Sequence, residues 1–215
     1  VAHDLTLRGM NSLTVDSGAR IDVSARGLTG AHANTGSVGS YSGGSHGGKG
    51  GGSSNDGYGH YAAPDKLGSG GYNGTRGGGR VRIALGGESS LLTVNGEIKA
   101  DGAAAFNSSS CGAAGGSIHI SASRLTGAGK ITARGGSGYS TSTWAGGGGR
   151  IAIDGLAPTG RSGKFAGNDL FDSVLATGGG GTNSAAAGTV FLRTTSQVYG
   201  DLIIDNKSMQ RTTHM

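Results

Sequence analysis

The sequence predicts an all-β protein, a right-handed parallel β-helix with three strands in each coil and about five coils. Short segments in which apolar residues alternate, such as RVRIAL, SIHISA and RIAID, recur along the chain and are typical of strands. Each recurrence follows a glycine, and the segments come in the same order each time. This repetition indicates stacked structural units that each cover the next.

The glycine content points to a repeat fold as well. The chain has 48 glycines and 2 prolines among 215 residues, and the glycines occur in clumps such as Gly77–Gly79. Clumping excludes collagen, which needs glycine at every third position, and the alternating apolar segments exclude a disordered linker. We therefore expect an ordered chain with glycine confined to corners and loops.

The apolar residues of the repeats share one phase and predict a narrow stacked core. In the first strand of each unit the inward pairs are Leu5/Leu7, Val81/Ile83, Ile118/Ile120, Ile151/Ile153 and Val190/Leu192. In the last strand they are Ile21/Val23, Ile98/Ala100, Ile131/Ala133 and Val174/Ala176. The same register places Asp22 beside Lys99 and Asp101 beside Arg134 on the outer surface.

The chain begins inside a repeat, and its last strand-like run, DLIID, is followed only by a short polar tail, so we interpret residues 1–215 as a single segment of a larger protein. Residues 31–79 form a long insertion rich in Gly, Ser and Tyr, and residues 155–172 form a smaller one. Insertions of this length are either disordered or functional. No apolar run reaches the roughly 18 residues of a membrane span, so we expect no membrane insertion.

Charge composition argues against nucleic-acid binding. The net charge of +5 comes from 18 Lys and Arg and 13 Asp and Glu that are scattered along the chain. Nucleic-acid recognition favours cations that are clustered together with aromatic residues, and the sequence has no such cluster. A weak attraction to acidic polysaccharide is compatible with this charge.

Several segments resemble a known family of repeats. The stretches GGSHGGKGG, YGHYAAPDKLGSGG, LTVNGEIKADG, GGSIHISASRLTGAGKITARGG and GGGGRIAI are similar to repeats of very large, glycine-rich secreted or surface proteins of plants, bacteria and protists. The resemblance covers most of residues 13–155. It implies a pectate-lyase-like β-helix and an extracellular or cell-surface location, and it implies no activity.

The search for enzymatic chemistry yields no catalytic residue. Polysaccharide-cleaving enzymes group carboxylates on one outer face, and here Asp154 has no second carboxylate in its column. His119 is interpreted as a surface histidine, and Cys111, the only cysteine, as an inert thiol.

Titratable residues in the long insertion are the remaining candidates for acid–base chemistry or metal binding. They are His46, Asp56, His60 and Asp65. Their spacing matches no metal or catalytic motif, so we interpret them as solvated loop residues. No catalytic residue, cofactor or metal is predicted, and we expect the protein not to be an enzyme.

Three functions remain open. The first is a structural or adhesive extracellular rod, such as a subunit of a surface filament or stalk, which binds copies of itself or neighbouring domains of the same protein. The second is a carbohydrate-binding module, and the third is a polysaccharide lyase or hydrolase. The aromatic residues proposed to contact a glycan or partner are Tyr41, Tyr58, Tyr61, Tyr72 and Trp144.

Three sequons are compatible with a glycosylated surface protein. Their acceptor residues are Asn73, Asn107 and Asn206. A chain so rich in Ser and Thr contains such triplets by chance, so these sites are candidates only.

Overall fold

The fold is built from short strands joined by glycine-rich segments. We describe residues 3–29, 41–52 and 56–207 of a computed structural model of the chain. The strands are β1 (Asp4–Met10), β2 (Ser12–Val15), β3 (Arg20–Asp22), β4 (Arg80–Leu85), β5 (Leu91–Val94), β6 (Glu97–Lys99), β7 (Ser117–Ser121), β8 (Arg124–Thr126), β9 (Lys130–Thr132), β10 (Arg150–Leu156), β11 (Val174–Leu175), β12 (Thr189–Thr194) and β13 (Asp201–Ile203).

These strands form three sheets. The six-stranded sheet has the order β1-β4-β7-β10-β12-β13, the four-stranded sheet β11-β9-β6-β3, and the three-stranded sheet β2-β5-β8. All neighbouring strands pair in parallel except β12 and β13, which are antiparallel. The hydrophobic core combines buried residues from all three sheets.

The predicted register within the six-stranded sheet is confirmed. Leu5, Val81, Ile118, Ile151 and Val190 are successive partners across β1, β4, β7, β10 and β12. Like residues therefore stack on like residues, and alternate positions of each strand point into the core.

The register predicted for the charged surface residues also agrees with the structure. Asp22 and Lys99 are paired positions of β3 and β6. Asp101 Oδ1 accepts a 2.7 Å hydrogen bond from the backbone N–H of Arg134, so these two residues are neighbours through the backbone rather than through an ion pair.

The prediction of an all-β, right-handed parallel β-helix with about five three-stranded coils is wrong. The fold is mixed α/β, with 31% strand and 5% helix. Its three parallel or mixed sheets differ in size and do not close into a solenoid.

The region after β10 shows where the pattern of three strands breaks, because only the six-stranded and four-stranded sheets continue there. Residues that were predicted as the smaller insertion form two 3₁₀ turns, Gly163–Phe165 and Gly167–Asp169, and the short helix α1, Leu170–Ser173. Next to β8 the chain makes only an isolated bridge between Arg161 and Leu125, and the fully buried Phe165 fills the core there. A strand of the three-stranded sheet is therefore replaced by turns and a helix.

The glycine-rich segments form a packed layer of their own, which we call the glycine layer. It comprises residues 41–51, 68–79, 100–105, 111–116, 133–138, 145–149 and 176–188. Many of its residues are buried, including Gly43, Gly44, Gly112, Gly146 and Gly148. These glycines lie outside the strands, as expected, but their segments are packed and largely buried rather than solvent-exposed loops.

Backbone hydrogen bonds in the glycine layer follow a period of three. Gly112 and Gly115 donate to Trp144 and Gly147, whereas Ala113 donates to Ala103 and the next residue, Ala114, donates to Ser69. Successive N–H groups thus point to three different neighbouring segments. This is the pattern of extended, polyproline-II-like chains, which have three residues per turn and no internal hydrogen bonds.

Close packing of these chains explains the need for glycine. A Cβ at Gly116 would lie 1.9 Å from the carbonyl oxygen of Gly79, and one at Gly135 would lie 1.9 Å from that of Gly146. Backbones therefore touch without intervening side chains. Within the described residues, no helix is long and apolar enough to cross a membrane.

Candidate functional site

Residues 56–67 of the long insertion lie along the first residues of the strands in the six-stranded sheet, and we call them the strap. Arg80 Nη1 donates a 3.0 Å hydrogen bond to the carbonyl of Asp65. Ser117 Oγ donates to the carbonyl of Lys66 at 2.6 Å, and Arg150 Nε donates to that of Tyr58 at 2.8 Å. Equivalent positions of three successive strands thus hold the strap through its backbone.

Arg150 is the most buried of these anchors. It is only 9% exposed, and its Nη1 donates a 3.1 Å hydrogen bond to Thr189 Oγ1. Among residues 3–29, 41–52 and 56–207, no carboxylate oxygen lies within 4.0 Å of its guanidinium. Burial lowers the pKa of Arg150 from its ordinary value because the charged form loses hydration.

A cleft of about 390 Å³ opens beside this arginine. We call it the Arg150 cleft; its polar side chains are those of Lys49, Asp56, Arg150 and Thr189, and glycine backbone forms much of the remaining wall. Lys49 Nζ lies 3.6 Å from Asp56 Oδ1, and the Asp56 side chain is 93% exposed. The cleft therefore holds one exposed ion pair and one buried cation without a carboxylate partner.

His46 lies behind the strap and is fully buried. Its Nδ1 is 2.8 Å from the carbonyl oxygen of Gly115, whereas its Nε2 has no hydrogen-bond partner within the described residues. Burial lowers the pKa of His46 to about 4, so the imidazole is neutral at pH 7. The Tyr58 ring packs against the imidazole with centroids 4.8 Å apart.

The outer face of the six-stranded sheet carries a second polar cluster, which the sequence did not reveal. Asp154 Oδ1 accepts a 2.6 Å hydrogen bond from Ser121 Oγ, and Asp154 Oδ2 lies 3.1 Å from His119 Nε2. Burial raises the pKa of Asp154, but hydrogen bonds from His119 and Ser121 outweigh that effect and hold the pKa below its ordinary value. Asp154 thus has His119 and Ser121 as hydrogen-bond partners, and neither of them is a second carboxylate.

This cluster lacks the order of a nucleophilic triad. A triad needs the serine hydroxyl to bond the histidine, which is oriented by the acid. Here the hydroxyl of Ser121 donates to Asp154 rather than to His119, so the histidine is not placed to take the proton of the serine. The arrangement fits a hydrogen-bonded surface network.

The predicted aromatic contacts fall into two groups. Tyr41 and Tyr61 are 48% and 41% exposed, and Tyr72 is partly exposed beside Tyr41. Tyr58 is partly buried, and its hydroxyl donates a 2.6 Å hydrogen bond to the carbonyl of Leu67. Trp144 packs under the backbone of Gly52, where an added Cβ would lie 2.8 Å from the indole ring. Tyr58 and Trp144 are therefore placed as packing residues.

The accessible tyrosines lie in different places. The rings of Tyr41 and Tyr72 form a tilted pair with centroids 4.9 Å apart. Tyr61 instead stacks on His60 and meets the edge of Phe191 at 5.4 Å. Only Tyr41 and Tyr72 among the five predicted aromatics form a pair with each other.

The three candidate sequons differ in accessibility. Asn73 is exposed in a turn at φ +60°, and Asn107 is partly exposed with its Oδ1 bound to the N–H of Ser109. Asn206 uses its amide in the fold, because Nδ2 donates a 2.9 Å hydrogen bond to Ala185 and Oδ1 accepts from Gly178. Asn73 is the acceptor that the structure leaves most open.

The remaining titratable candidates do not assemble into a site. Cys111 is buried in the glycine layer, and burial raises the pKa of its thiol. Asp65 pairs with Lys66 at 3.1 Å, and His60 stacks on Tyr61. Within residues 3–29, 41–52 and 56–207, no three His, Cys, Asp or Glu side chains lie close enough to hold a metal ion.

Within the part of the chain that the structure describes, no strand covers one end of the stacked sheets, and we call this end the open end. β1, β2 and β3 are the edge strands of the three sheets, and each lacks a described strand on its outer side. Most core-facing residues of this end are only partly buried, namely Leu5, Leu7, Met10, Leu13 and Ile21, whereas Val15 and Val23 are buried. Apolar side chains and unpaired backbone groups are thus presented together.

Comparison with protein-family models, with curated proteins and with solved structures gives no match to this chain. The resemblance to glycine-rich surface repeats and the extracellular or cell-surface location therefore stay predictions. The adhesive, solenoid character expected with them has no support from the fold or from any relative.

Proposed function

We propose that this chain is a structural module that binds a second copy of itself through the open end. The observation that carries the proposal is the partial exposure of Leu5, Leu7 and Leu13, whose counterparts in the next layer are fully buried. An edge strand with apolar side chains and unpaired backbone groups is a template for pairing with another chain.

The opposite end of the stack is different. There the inward residues Val174, Val190 and Leu192 are 5%, 6% and 4% exposed. Antiparallel pairing with β13 covers the outer edge of β12. The core-facing residues of this end are thus more buried than most of those at the open end, although Leu202 of β13 is 47% exposed. Head-to-head pairing of two copies through the open end is therefore favoured over an end-to-end filament.

The sequence of β1 is complementary to itself when read in the antiparallel direction. A two-fold axis at Thr6 sets Leu5 opposite Leu7 of a second copy. It also sets Asp4, which already pairs with Arg80, opposite Arg8 of that copy, so Asp4 would be shared between two arginines. The side chain of Arg8 makes no hydrogen bond or ion pair with the described residues, so its charge is available for this contact. Apolar burial would supply the affinity, and the ion pairs would set the register.

We expect the purified chain to sediment as a dimer and Leu7→Lys to sediment as a monomer. Removing one leucine from an interface loses about 1.5 to 3 kcal/mol, and a symmetric dimer contains the site twice, so the dissociation constant should rise at least about 100-fold. Analytical ultracentrifugation over a concentration series measures this change.

Two further variants make the dimer experiment specific. Thr195→Lys adds the same charge at an exposed residue of the opposite end and should leave the dimer intact. Arg8→Glu should weaken it about tenfold, since acid then faces acid. A wild-type chain that stays monomeric at its solubility limit would overturn the proposal, as would equal effects of Leu7→Lys and Thr195→Lys in proteins with unchanged circular dichroism.

Carbohydrate binding is the second candidate, and the Tyr41–Tyr72 pair is the observation that favours it. Two adjacent rings, of which Tyr41 is exposed and Tyr72 partly exposed, are suited to stack on sugar rings. We expect Tyr41→Ala combined with Tyr72→Ala to reduce binding on a glycan array at least about tenfold. Tyr139→Ala, which removes a 60% exposed ring elsewhere, is the matched control and should leave binding unchanged; an equal loss in both proteins would reject the tyrosine pair as the site.

A further inference from the structure

We propose that the Arg150 cleft binds an oxyanion, the charged group shared by uronic acids, sulfated sugars and inorganic sulfate or phosphate. The site is independent of the open end and of the Tyr41–Tyr72 pair. Arg150 would bind the anion through its guanidinium and Lys49 through its ammonium, while Thr189 supplies a hydroxyl at the same wall.

A comparison within the sheet shows that Arg150 is unusual. Arg80 and Arg150 occupy equivalent positions of β4 and β10, each paired with Ser117 of β7 between them, and both hold the strap. Arg80 forms an ion pair with Asp4, so its charge is neutralised within the fold. Anchoring the strap therefore does not explain why Arg150 has no carboxylate partner.

The missing partner matters because Arg150 is nine-tenths buried. A buried cation needs a compensating charge, and neutral acceptors such as the Tyr58 carbonyl satisfy its hydrogen bonds without neutralising it. The guanidinium presents paired N–H groups that match the oxygens of a carboxylate, sulfate or phosphate. An oxyanion in the cleft would supply the charge that Asp4 gives Arg80.

The carboxylate of Asp56 should compete with an entering anion for Lys49. This carboxylate lines the same cleft and lies 3.6 Å from Lys49, so it repels an entering anion and occupies the second cation. Because the Asp56 side chain is 93% exposed, this ion pair is weak and readily displaced. Asp56→Asn should therefore strengthen anion binding.

The test is isothermal titration calorimetry of the full chain with sodium sulfate, phosphate, glucuronate and neutral glucose, with ionic strength held constant by sodium chloride. We expect a dissociation constant of about 1 mM for at least one of the oxyanions and no binding of glucose. Tighter binding of glucuronate than of both inorganic ions would identify an acidic sugar as the ligand, and the reverse order would identify a small inorganic oxyanion.

The variants separate the cleft from general electrostatic attraction. Arg150→Gln should weaken binding at least about tenfold, and Asp56→Asn should tighten it about threefold. Arg82→Gln removes an exposed arginine of the same sheet and should change nothing. If Arg150→Gln fails to fold, Lys49→Gln should still weaken binding about threefold. The proposal is overturned if no oxyanion binds, if Asp56→Asn does not tighten binding, or if the lysine or arginine variants of the cleft bind like Arg82→Gln.

Discussion

Replacing Gly148 by alanine is expected to destabilise the fold by at least about 3 kcal/mol, at or beyond the upper end of ordinary overpacking. A Cβ at this position would lie 1.9 Å from the carbonyl oxygen of Ala176 and 2.3 Å from the nitrogen of Gly188. Both atoms belong to backbone, so no side chain can turn away to relieve the contact. Urea unfolding followed by circular dichroism measures the loss as a lower midpoint.

Gly86→Ala is the matched control for this experiment. The nearest heavy atom to a Cβ at Gly86 is Asn11 Oδ1 at 4.0 Å, so the added methyl enters open space. Its effect should stay within about 0.5 kcal/mol of zero, as for most surface substitutions. Equal midpoints for the two variants would mean that the backbones of the glycine layer are not in contact.

The strand register was predictable because its signal lies in side chains. Val81, Ile118 and Ile151 recur in one phase after a glycine, and burial of one sheet face fixes which residues pair. That register did not by itself imply that the sheets close into a solenoid. The fully buried Phe165 and the helix Leu170–Ser173 replace a strand at a place where the sequence shows only a break in the pattern.

The glycine layer was not predictable by the same route. Its period of three lies in the direction of backbone N–H groups, as between Gly112, Ala113 and Ala114, and leaves no regular side-chain pattern. Glycine, alanine and serine all occur within the segments, so composition alone resembles that of a loop. A sequence signal would have been the absence of any large residue from runs such as 145–149.

The candidate sites also divide into features that the sequence could predict and features that it could not. Tyr41 and Tyr72 were identifiable as aromatic residues in a long insertion, although their pairing was not. Arg150 gave no signal, since its strap partner Tyr58 is 92 residues away in sequence. What the sequence did contain was a polar residue at the start of successive strands, at Arg80, Ser117 and Arg150, directly after a glycine.

The stability of the protein is expected to fall as the pH is lowered from about 6.5 to about 4, because of His46. The ordinary pKa of 6.5 applies to the unfolded chain, whereas burial lowers the pKa of His46 to about 4 in the folded protein. Between these values the unfolded chain binds a proton that the folded protein does not, so acidification favours unfolding. The free energy of unfolding should drop by roughly 3 kcal/mol across this window and level off below it.

The measurement is a series of urea unfolding curves between pH 4 and pH 7 for the wild type and His46→Gln. Glutamine does not titrate, so the variant should lose most of the pH dependence in this window, whatever the substitution itself costs at neutral pH. Carboxylates with lowered pKa, such as that of Asp154, begin to lose their contribution only near and below pH 4 and leave the window clear. Parallel curves for the two proteins would show that His46 accepts a proton in the folded state, and hence that the strap and the glycine layer do not bury it.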